Sequence, residues 1–531
     1  MKKILFFLFL FLCSESRAQQ IEMDWTRFIG QSTGCCVVLN SAITSRDGGI
    51  VFTGSADASD TTNGDIPAST YGGVLACKID GSGNILWIHV YGGRRGMGIC
   101  ETSDGGYAIL AYAEGVNGYV TGYHGNGDMW LLKIDSIGNF LWGNCYGSNS
   151  ADEEALSISA TKDNGFTLLG ISNGSGQDVP YHLGGSEFEY DWFVVKTDSV
   201  GNKQWAKDLG GSNDEAPNNF GSILTTDSCY YLVSSTSSLD YDCTDTIWHT
   251  GVNTKTDYYI LKLDTAGNVV WSRSFGGSGY DEMKSAVWDA RDNTILITGA
   301  SSSNDYMVTA NPGGNSMWLI KVDNNGTLAW EKSIGGSYGC GGTSISINHD
   351  SGYIVLAGTS GVIGNSDVWI FSVDNHGYVI ANKIFGGVYY DFSSTCFTYN
   401  HGIIACGSSA SNSFTEGTTW GYRAFGEEAF ISYLEYWPVS VKNVRNDAAG
   451  QLLVFPNPAK GFVTFADNAP DAGADIRIMI TNVMGEKVAE LHTGNNTGRI
   501  VWDTHQQQNG VYMYQATGGG VTSNGKIVVA R

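Results

Sequence analysis

Three pairs of an aromatic residue followed by a histidine have the side chains for binding or proton-transfer chemistry. The pairs are Tyr123-His124, Tyr181-His182 and Trp248-His249. An aromatic ring can stack on the apolar face of a sugar, and an imidazole beside it can hydrogen-bond the hydroxyl groups. The histidines are not spaced like the ligands of a closed zinc site. We therefore predict that these six residues bind a ligand, and we assign no catalytic or metal-ligating residues.

A second group of candidate residues is acidic and recurs at one place in a repeated unit. Its members are Asp152-Glu153, Asp214-Glu215, Asp281-Glu282 and Asp391. A ring of carboxylates could hold Ca²⁺ through oxygen ligands. The alternative is that a residue repeated at one place makes one structural hydrogen bond in each repeat. We favour the structural interpretation and predict no cofactor, with Ca²⁺ as the alternative.

The unit that carries these residues is an apolar strand ending in Lys-x-Asp, followed by Gly-Asn and then Trp. It is clearest at Asp128 to Asp135, and it occurs seven times. The tryptophans Trp87, Trp142, Trp205, Trp271 and Trp330 are separated by 55, 63, 66 and 59 residues, which is typical of propeller blades. Each unit divides into four strand-like runs joined by glycine-containing turns. The sequence predicts an all-β fold, a seven-bladed β-propeller of four-stranded blades over residues 19–438.

The two ends of the predicted propeller are complementary. Asp24 to Gly30 matches only the fourth strand of a unit, whereas Asp391 to Trp437 contains the first three strands. An N-terminal strand that completes the last blade would remove an open sheet edge. The recurring lysines of the third strand are expected to hold contacts between blades. These lysines are Lys133, Lys196, Lys262 and Lys321.

The N-terminus and the composition indicate an exported protein. Lys2 and Lys3 precede the apolar run Ile4 to Leu12, and small residues end at Ala18, so residues 1–18 are predicted to be a signal peptide. The chain has 53 acidic and 30 basic residues and a net charge of −23, which disfavours a nucleic-acid partner. No other apolar stretch reaches the ~20 residues of a membrane-spanning helix.

Of the 11 cysteines in the sequence, ten follow the predicted signal peptide. Disulfides are common in oxidising compartments, so these cysteines can pair. Cys396 and Cys406 flank the turn from Tyr399 to Gly402, and we predict that they face each other across a hairpin. Cys35 and Cys36 are adjacent in the sequence.

The pattern changes after the propeller. Residues 439–451 have no aromatic side chain and are predicted to be a linker. Residues 452–531 alternate apolar and polar side chains, which predicts a small immunoglobulin-like β-sandwich. Its distinctive residues are Pro456-Asn457-Pro458, the turn from Asn482 through Gly485 to Lys487, Gly510-Val511-Tyr512 and the terminal Lys526.

In these motifs and their order, the tail resembles the type A C-terminal sorting domain of the type IX secretion system of Bacteroidota. The resemblance implies two partners, the secretion machinery and a sortase-like peptidase that removes the tail. It also implies that the mature protein is secreted or displayed on the outer cell surface.

The propeller repeat resembles repeats in large Bacteroidota surface proteins that carry such a tail, and no catalytic set comes with that resemblance. We therefore expect a non-catalytic binding or adhesion module for an extracellular glycan or protein. The alternatives are an extracellular polysaccharide-degrading enzyme, either a lyase or a hydrolase, and a structural component of the cell surface.

Overall fold

The computed structural model describes most of the chain. All regular secondary structure in the described part is β-strand. The described residues are 20–529 without 31–36, 59–63, 70, 185, 187, 227, 245–254, 310, 336–339, 349–351, 361–364, 401, 412–413, 415–417, 422–427, 438–451, 456–458, 460, 468–476, 483–486, 493–498, 509 and 519–520. Predicted features outside them are the signal peptide (1–18), Cys35 and Cys36, Trp248 and His249, the linker (439–451), Pro456-Asn457-Pro458 and Gly485.

The strands divide into two compact units, Ile21–Tyr436 and a C-terminal unit that begins at Trp437. The strands of the first unit are β1 (Gln20–Ile29), β2 (Val37–Thr44), β3 (Ile50–Ala56), β4 (Gly73–Ile79), β5 (Ile85–Val90), β6 (Arg95–Glu101), β7 (Tyr107–Ala113), β8 (Asp128–Ile134), β9 (Phe140–Tyr146), β10 (Glu153–Ala160), β11 (Phe166–Ser172), β12 (Asp191–Thr197), β13 (Lys203–Leu209), β14 (Ser222–Thr225), β15 (Tyr230–Thr236), β16 (Asp257–Leu263), β17 (Val269–Phe275), β18 (Asp281–Asp289), β19 (Thr294–Ser301), β20 (Ser316–Asp323), β21 (Leu328–Ile334), β22 (Cys340–Asn348), β23 (Gly352–Ser360), β24 (Ser366–Asp374), β25 (Val379–Phe385), β26 (Asp391–Tyr399), β27 (Gly402–Ser409), β28 (Thr418–Gly421) and β29 (Glu428–Trp437).

These strands form seven sheets, which we number along the chain; sheets 1 to 6 are antiparallel and keep the chain order of their strands. Sheets 1 to 6 are β2–β5, β6–β9, β10–β13, β14–β17, β18–β21 and β22–β25, and sheet 7 has the order β26-β27-β29-β1-β28. The first strands of successive sheets adjoin one another, and β26 of sheet 7 adjoins β2 of sheet 1. First strands therefore surround a common centre from which the sheets radiate, which is the architecture of a β-propeller.

The apolar third strands follow from this arrangement, because a radiating sheet is covered on both faces by its neighbours. Every residue of β8 is buried. Trp130 and Leu132 pack on the side of sheet 1 with Val74, whereas Met129 and Leu131 pack on the side of sheet 3 with Phe193. Alternate side chains of one strand thus contribute to two different cores.

The N-terminal strand lies where the sequence places it, between β29 and a short additional strand, β28. It runs from Gln20 to Ile29, four residues longer at its start than the predicted segment. The Thr26 hydroxyl and the Ser432 hydroxyl are 2.7 Å apart, and Arg27 forms an ion pair with Asp65 at 2.6 Å. Strand β28, which pairs with β1 in parallel, was not predicted.

The predicted contact between blades is confirmed for two of the recurring lysines, since Lys262 and Lys321 hydrogen-bond a residue of the next sheet. Lys133 and Lys196 instead bond residues of their own sheets. Lys133 donates to Asp104 in the turn between the first and second strands of its own sheet, at 3.0 Å. Lys321 donates at 2.9 Å to the hydroxyl of Tyr353, which belongs to the next sheet. Neighbouring sheets are therefore joined by polar contacts as well as by their apolar cores.

The fourth-strand tryptophans pack on the next sheet. Trp205 in sheet 3 donates its indole N–H to the carbonyl of Thr265 in sheet 4 at 3.2 Å. In the same way Trp87 bonds Ser136 and Trp330 bonds Asn375. The accepting turn also holds the recurring glycine. At Gly201, φ is +82°, and an added Cβ would lie 2.6 Å from a ring carbon of Trp142.

The C-terminal unit contains two antiparallel sheets around one core. Its strands are β30 (Leu452–Phe455), β31 (Phe462–Asp467), β32 (Arg477–Asn482), β33 (Lys487–His492), β34 (Arg499–Asp503), β35 (Gly510–Gly518) and β36 (Val521–Val529). The sheet orders are β30-β31-β34 and β33-β32-β35-β36. Phe465 and Trp502 of the first sheet contact Tyr514 and Tyr512 of the second through edge-on rings. Gly510 and Val511 lie in β35, and Lys526 lies in β36.

The predicted disulfide between Cys396 and Cys406 is wrong, because both cysteines are free and buried. The hairpin pairs Tyr399 with Gly402 and therefore places Cys396 opposite Ala405 rather than Cys406. Cys406 lies one residue further from the turn than Cys396. Since side chains alternate along a strand, the two thiols point to opposite faces and enter different cores.

Replacing the turn glycine should test the contact between sheets. Gly201→Ala adds a methyl group against Trp142 at positive φ, and we expect it to destabilise the protein by about 2–5 kcal/mol. Gly105 is the matched control, because its φ is +79° and an added Cβ meets nothing within 4 Å. Gly105→Ala should cost only the conformational strain of about 1–2 kcal/mol. Urea unfolding measures both, and equal losses would contradict the packing role of the glycine.

Candidate functional site

One face of the propeller carries the described candidate binding residues Tyr123, His124, Tyr181 and His182. Because the strands of a sheet are antiparallel, the loops from second to third strands and the loops from each sheet to the next open on the same face. We call it the loop face. The short turns between first and second strands and between third and fourth strands lie on the opposite face. Long loops are the usual position of binding residues, since their side chains are not committed to the core.

The repeated acids lie at the inner edge of the loop face, where the first strands begin. Glu153 accepts hydrogen bonds from the Ser148 N–H at 2.8 Å and from the hydroxyls of Ser148 and Ser172 at 2.9 Å. Asp391 repeats the pattern with the Gly387 N–H at 2.7 Å and the Ser411 hydroxyl at 3.1 Å. Glu215 and Asp281 also accept an N–H and hydroxyl groups. These bonds support the structural interpretation of the acids.

Each of these acids approaches a second carboxylate from the third strand of the preceding sheet. Gly276 lies between Asp257 and Asp281, so that an added Cβ would crowd both carboxylates. Gly147, Gly210 and Gly386 have the same position between Asp128 and Glu153, Asp191 and Glu215, and Asp367 and Asp391. Burial, with a further contribution from Asp257, raises the pKa of Asp281 to about 6. Burial and Asp128 act against hydrogen bonds to raise the pKa of Glu153 to about 7.

The two described histidines of the predicted site each lie against the buried aspartate that begins the third strand. His124 Nδ1 lies 3.0 Å from Asp128 Oδ2, which also accepts the His124 N–H at 2.9 Å. His182 Nδ1 lies 2.8 Å from Asp191 Oδ2. Both aspartates are fully buried. The hydrogen bonds of His124 join its loop to sheet 2. His182 Nδ1 lies close to Asp191 without the geometry of a hydrogen bond.

The aromatic residues of these loops have two kinds of environment. Tyr119 stacks on Phe140 with ring centroids 4.5 Å apart, and Tyr123 packs against the core between sheets 1 and 2. These rings fold their loop onto its own sheet. Tyr181 is 45% exposed, and its ring is available at the surface. The binding role predicted for Tyr123, His124, Tyr181 and His182 stays a prediction.

A cleft of about 350 Å³ opens on the loop face where sheets 3, 4 and 5 meet. Its carboxylates are Glu189, Asp214 and Glu282, and its exposed ring is Tyr280. Glu189 Oε2 is shielded from solvent and has no hydrogen-bond partner among the residues that the structure describes. Burial raises the pKa of Asp214, whose side chain accepts the Tyr190 N–H at 2.9 Å.

The cleft residues were only partly predicted from the sequence. Asp214 and Glu282 belong to the repeated acidic pairs, whereas Tyr280 and Glu189 were not singled out. Tyr280 occupies the place in its repeat that Asp152 and Asp214 hold in theirs, directly before the structural acid. A comparison of the repeats at that place would have identified an aromatic residue among carboxylates.

Residues 453–530 match the family described as the secretion system C-terminal sorting domain. This segment is therefore a type IX sorting domain, and it directs export to the cell surface or the extracellular space. The match covers the C-terminal unit. No curated protein matches the chain.

The chain is also similar to solved structures of low sequence identity. The Dos1 propeller has 10% identity and a TM-score of 0.39 over 78% of this chain and 95% of its own. A periplasmic gluconolactonase of Pseudomonas aeruginosa has 10% identity and a TM-score of 0.36 over 64% of this chain and 83% of its own. A puromycin hydrolase has 10% identity and a TM-score of 0.43 over 83% of this chain and 60% of its own.

Within the described residues, no helix is long and apolar enough to span a membrane.

The raised pKa values of the buried acids predict that the propeller loses stability as the pH rises. The pKa values of Asp281 and Glu153 rise from 3.8 and 4.5 to about 6 and about 7 on folding. Protonation therefore favours the folded state, and this contribution is lost as the pH rises from about 4 to about 7. We expect the melting temperature to be several degrees higher at pH 5.5 than at pH 8.

Scanning calorimetry of Asp281→Asn tests the origin of this dependence, because the amide cannot ionise and should flatten the profile. Asp80→Asn is the control. Asp80 lies in a turn, where burial acts to raise its pKa but the hydrogen bonds from Asn84 and Ser82 together lower it, so it stays ionised over this range. An unchanged slope in Asp281→Asn would show that other groups set the pH dependence.

Proposed function

We propose that the chain is a secreted, non-catalytic binding module, a seven-bladed propeller whose loop face binds an extracellular glycan. In this proposal residues 1–18 are removed as a signal peptide, 19–438 form the propeller, and 439–451 link it to an immunoglobulin-like sorting sandwich. The tail at 452–531 is removed by a sortase-like peptidase after the secretion machinery has recognised it. The mature protein is released or stays on the outer cell surface as an adhesion protein.

The observation that carries the proposal is the cleft with one exposed ring beside three carboxylates. The Tyr280 side chain is 46% exposed, while its backbone is fixed by two hydrogen bonds of 2.8 Å with Ser302. An aromatic ring held in this way can stack on the apolar face of a sugar at little cost in entropy.

The carboxylates beside the ring supply the polar half of a sugar site. Carboxylate oxygens that line the cleft, on Glu189, Asp214 and Glu282, can accept hydrogen bonds from sugar hydroxyls. The cleft volume of about 350 Å³ lies within the ordinary range of small-ligand sites. Tyr181, on the loop that also contributes Glu189, extends the proposed surface.

The second candidate function is polysaccharide cleavage, and one observation favours it. Asp214 lies in the cleft, and burial raises its pKa, which is a property of general acids. Product release from a panel of extracellular polysaccharides, abolished in Asp214→Asn, would identify the protein as an enzyme and overturn the non-catalytic proposal.

Glycan-array binding by the purified protein tests the proposed site. Tyr280→Ala should weaken binding at least about tenfold, because burial of an aromatic ring contributes roughly 1.5–3 kcal/mol. The matched control is Tyr378→Ala. Tyr378 is 55% exposed and belongs to a turn on the opposite face, so its replacement should leave binding unchanged. Equal binding by Tyr280→Ala and the unchanged protein would place the site elsewhere, and a fully negative array would favour the structural role.

A further inference from the structure

Asp208 is an exception within the repeat. It lies three residues after Trp205 in the fourth strand of sheet 3, and none of the other sheets has an acid at this position. The corresponding residues are Val90, Cys145, Ser274, Ser333, Ile384 and Phe28. Apolar or small neutral side chains suit this position because it faces the packed boundary between neighbouring sheets. The repeat therefore does not require an acid here, and Asp208 needs an explanation of its own.

The environment of Asp208 is unfavourable for a carboxylate. The side chain is fully buried, and neither oxygen has a hydrogen-bond partner among the residues that the structure describes. The carboxyl groups of Asp191 and Glu215 lie close enough to add negative charge to its surroundings. A buried acid that lacks partners costs several kcal/mol unless a ligand compensates it.

Two other potential ligands converge on Asp208. His182, Asp191 and Asp208 each offer one atom, and these atoms all lie within 4.8 Å of one another. The three residues come from different elements, namely a loop, the start of β12 and the end of β13. Such a set has no recognisable spacing in the sequence, which is why spacing alone predicts no metal site.

The arrangement around Asp191 holds its carboxylate in place. Asp191 Oδ2 accepts the N–H groups of Leu183 at 2.5 Å and Gly184 at 3.0 Å. His182 Nδ1 approaches the same oxygen to 2.8 Å without the geometry of a hydrogen bond. The carboxylate is thus oriented by backbone donors, as the ligands of metal ions usually are by their outer partners.

We propose that His182, Asp191 and Asp208 form a binding site for a divalent transition-metal ion, with Zn²⁺ as the best match. One imidazole nitrogen and two carboxylate oxygens are a ligand set that Zn²⁺ accepts, whereas Ca²⁺ takes oxygen ligands alone. The ion would give the buried Asp208 carboxylate the positively charged partner that it lacks among the described residues. It would also tie the loop through Leu183 to sheet 3, and this loop continues to Glu189 of the cleft.

Sheet 2 provides an internal comparison. His124 and Asp128 repeat the histidine–aspartate contact at 3.0 Å, but Cys145 stands where sheet 3 has Asp208. Among the described residues, His182, Asp191 and Asp208 are the one group of three or more such side chains close enough to share an ion. His124→Gln is therefore a matched control for His182→Gln.

The test is Zn²⁺ titration of chelator-treated protein by calorimetry, with the melting temperature as a second readout. We expect one high-affinity site and a rise in melting temperature with Zn²⁺. Loss of an outer partner of a metal ligand costs about 10–100-fold in affinity, so His182→Gln and Asp208→Ser should each cost at least about 100-fold. His124→Gln should bind normally.

The melting temperatures of the metal-free proteins distinguish a metal ligand from an aspartate with a purely structural role. Metal-free Asp208→Ser should melt at the same temperature as the unchanged protein or higher, because the variant removes an unpartnered buried carboxyl. It should also lose the response to Zn²⁺. Absence of stoichiometric Zn²⁺ binding, normal affinity in His182→Gln, or a response to Ca²⁺ alone would each overturn the proposal.

Discussion

The contact on which the ring depends is the packing of a fourth-strand tryptophan against the glycine turn of the next sheet. Trp142 packs on Gly201, Trp205 on Gly267 and Trp330 on Gly377. Each turn is closed by an aspartate that accepts two backbone N–H groups, as Asp198 does from Val200 and Asn202. The aspartate, glycine and asparagine of each turn and the tryptophan of the preceding sheet therefore form one interaction that recurs from sheet to sheet.

The regular packing of one sheet against the next also brings acidic side chains together at the inner edge of the loop face. Every sheet boundary that pairs a third-strand aspartate with a first-strand acid brings two carboxylates together around a glycine. Hydrogen bonds from backbone N–H and hydroxyl groups hold the first-strand acids in place. A third carboxylate, Asp208, is added at the boundary after sheet 3 and exceeds what those donors can satisfy. The proposed ion follows from this local excess of carboxylates.

Much of the fold could be predicted from the sequence because the repeat is regular. The four-stranded sheets, the N-terminal strand of sheet 7 and the sorting tail all had recognisable patterns. Strand β28 did not, because it is four residues long and lies outside the repeat. The predicted pairing of Cys396 with Cys406 is wrong by one residue in the strand register. A shift of one residue moves a side chain to the other face of the strand. The site was harder to predict, since Tyr280, Glu189 and Asp208 are departures from the repeat rather than parts of it.

Anomalous diffraction at the zinc edge, from crystals of the protein grown with Zn²⁺, tests the central claim most directly. That claim is that a closed ring of sheets concentrates uncompensated carboxylates at one boundary and holds an ion there. The account predicts a single strong peak within about 2.0–2.2 Å of His182, Asp191 and Asp208. A map with no peak at these three side chains, or with the ion bound by the paired acids of other boundaries instead, would contradict it.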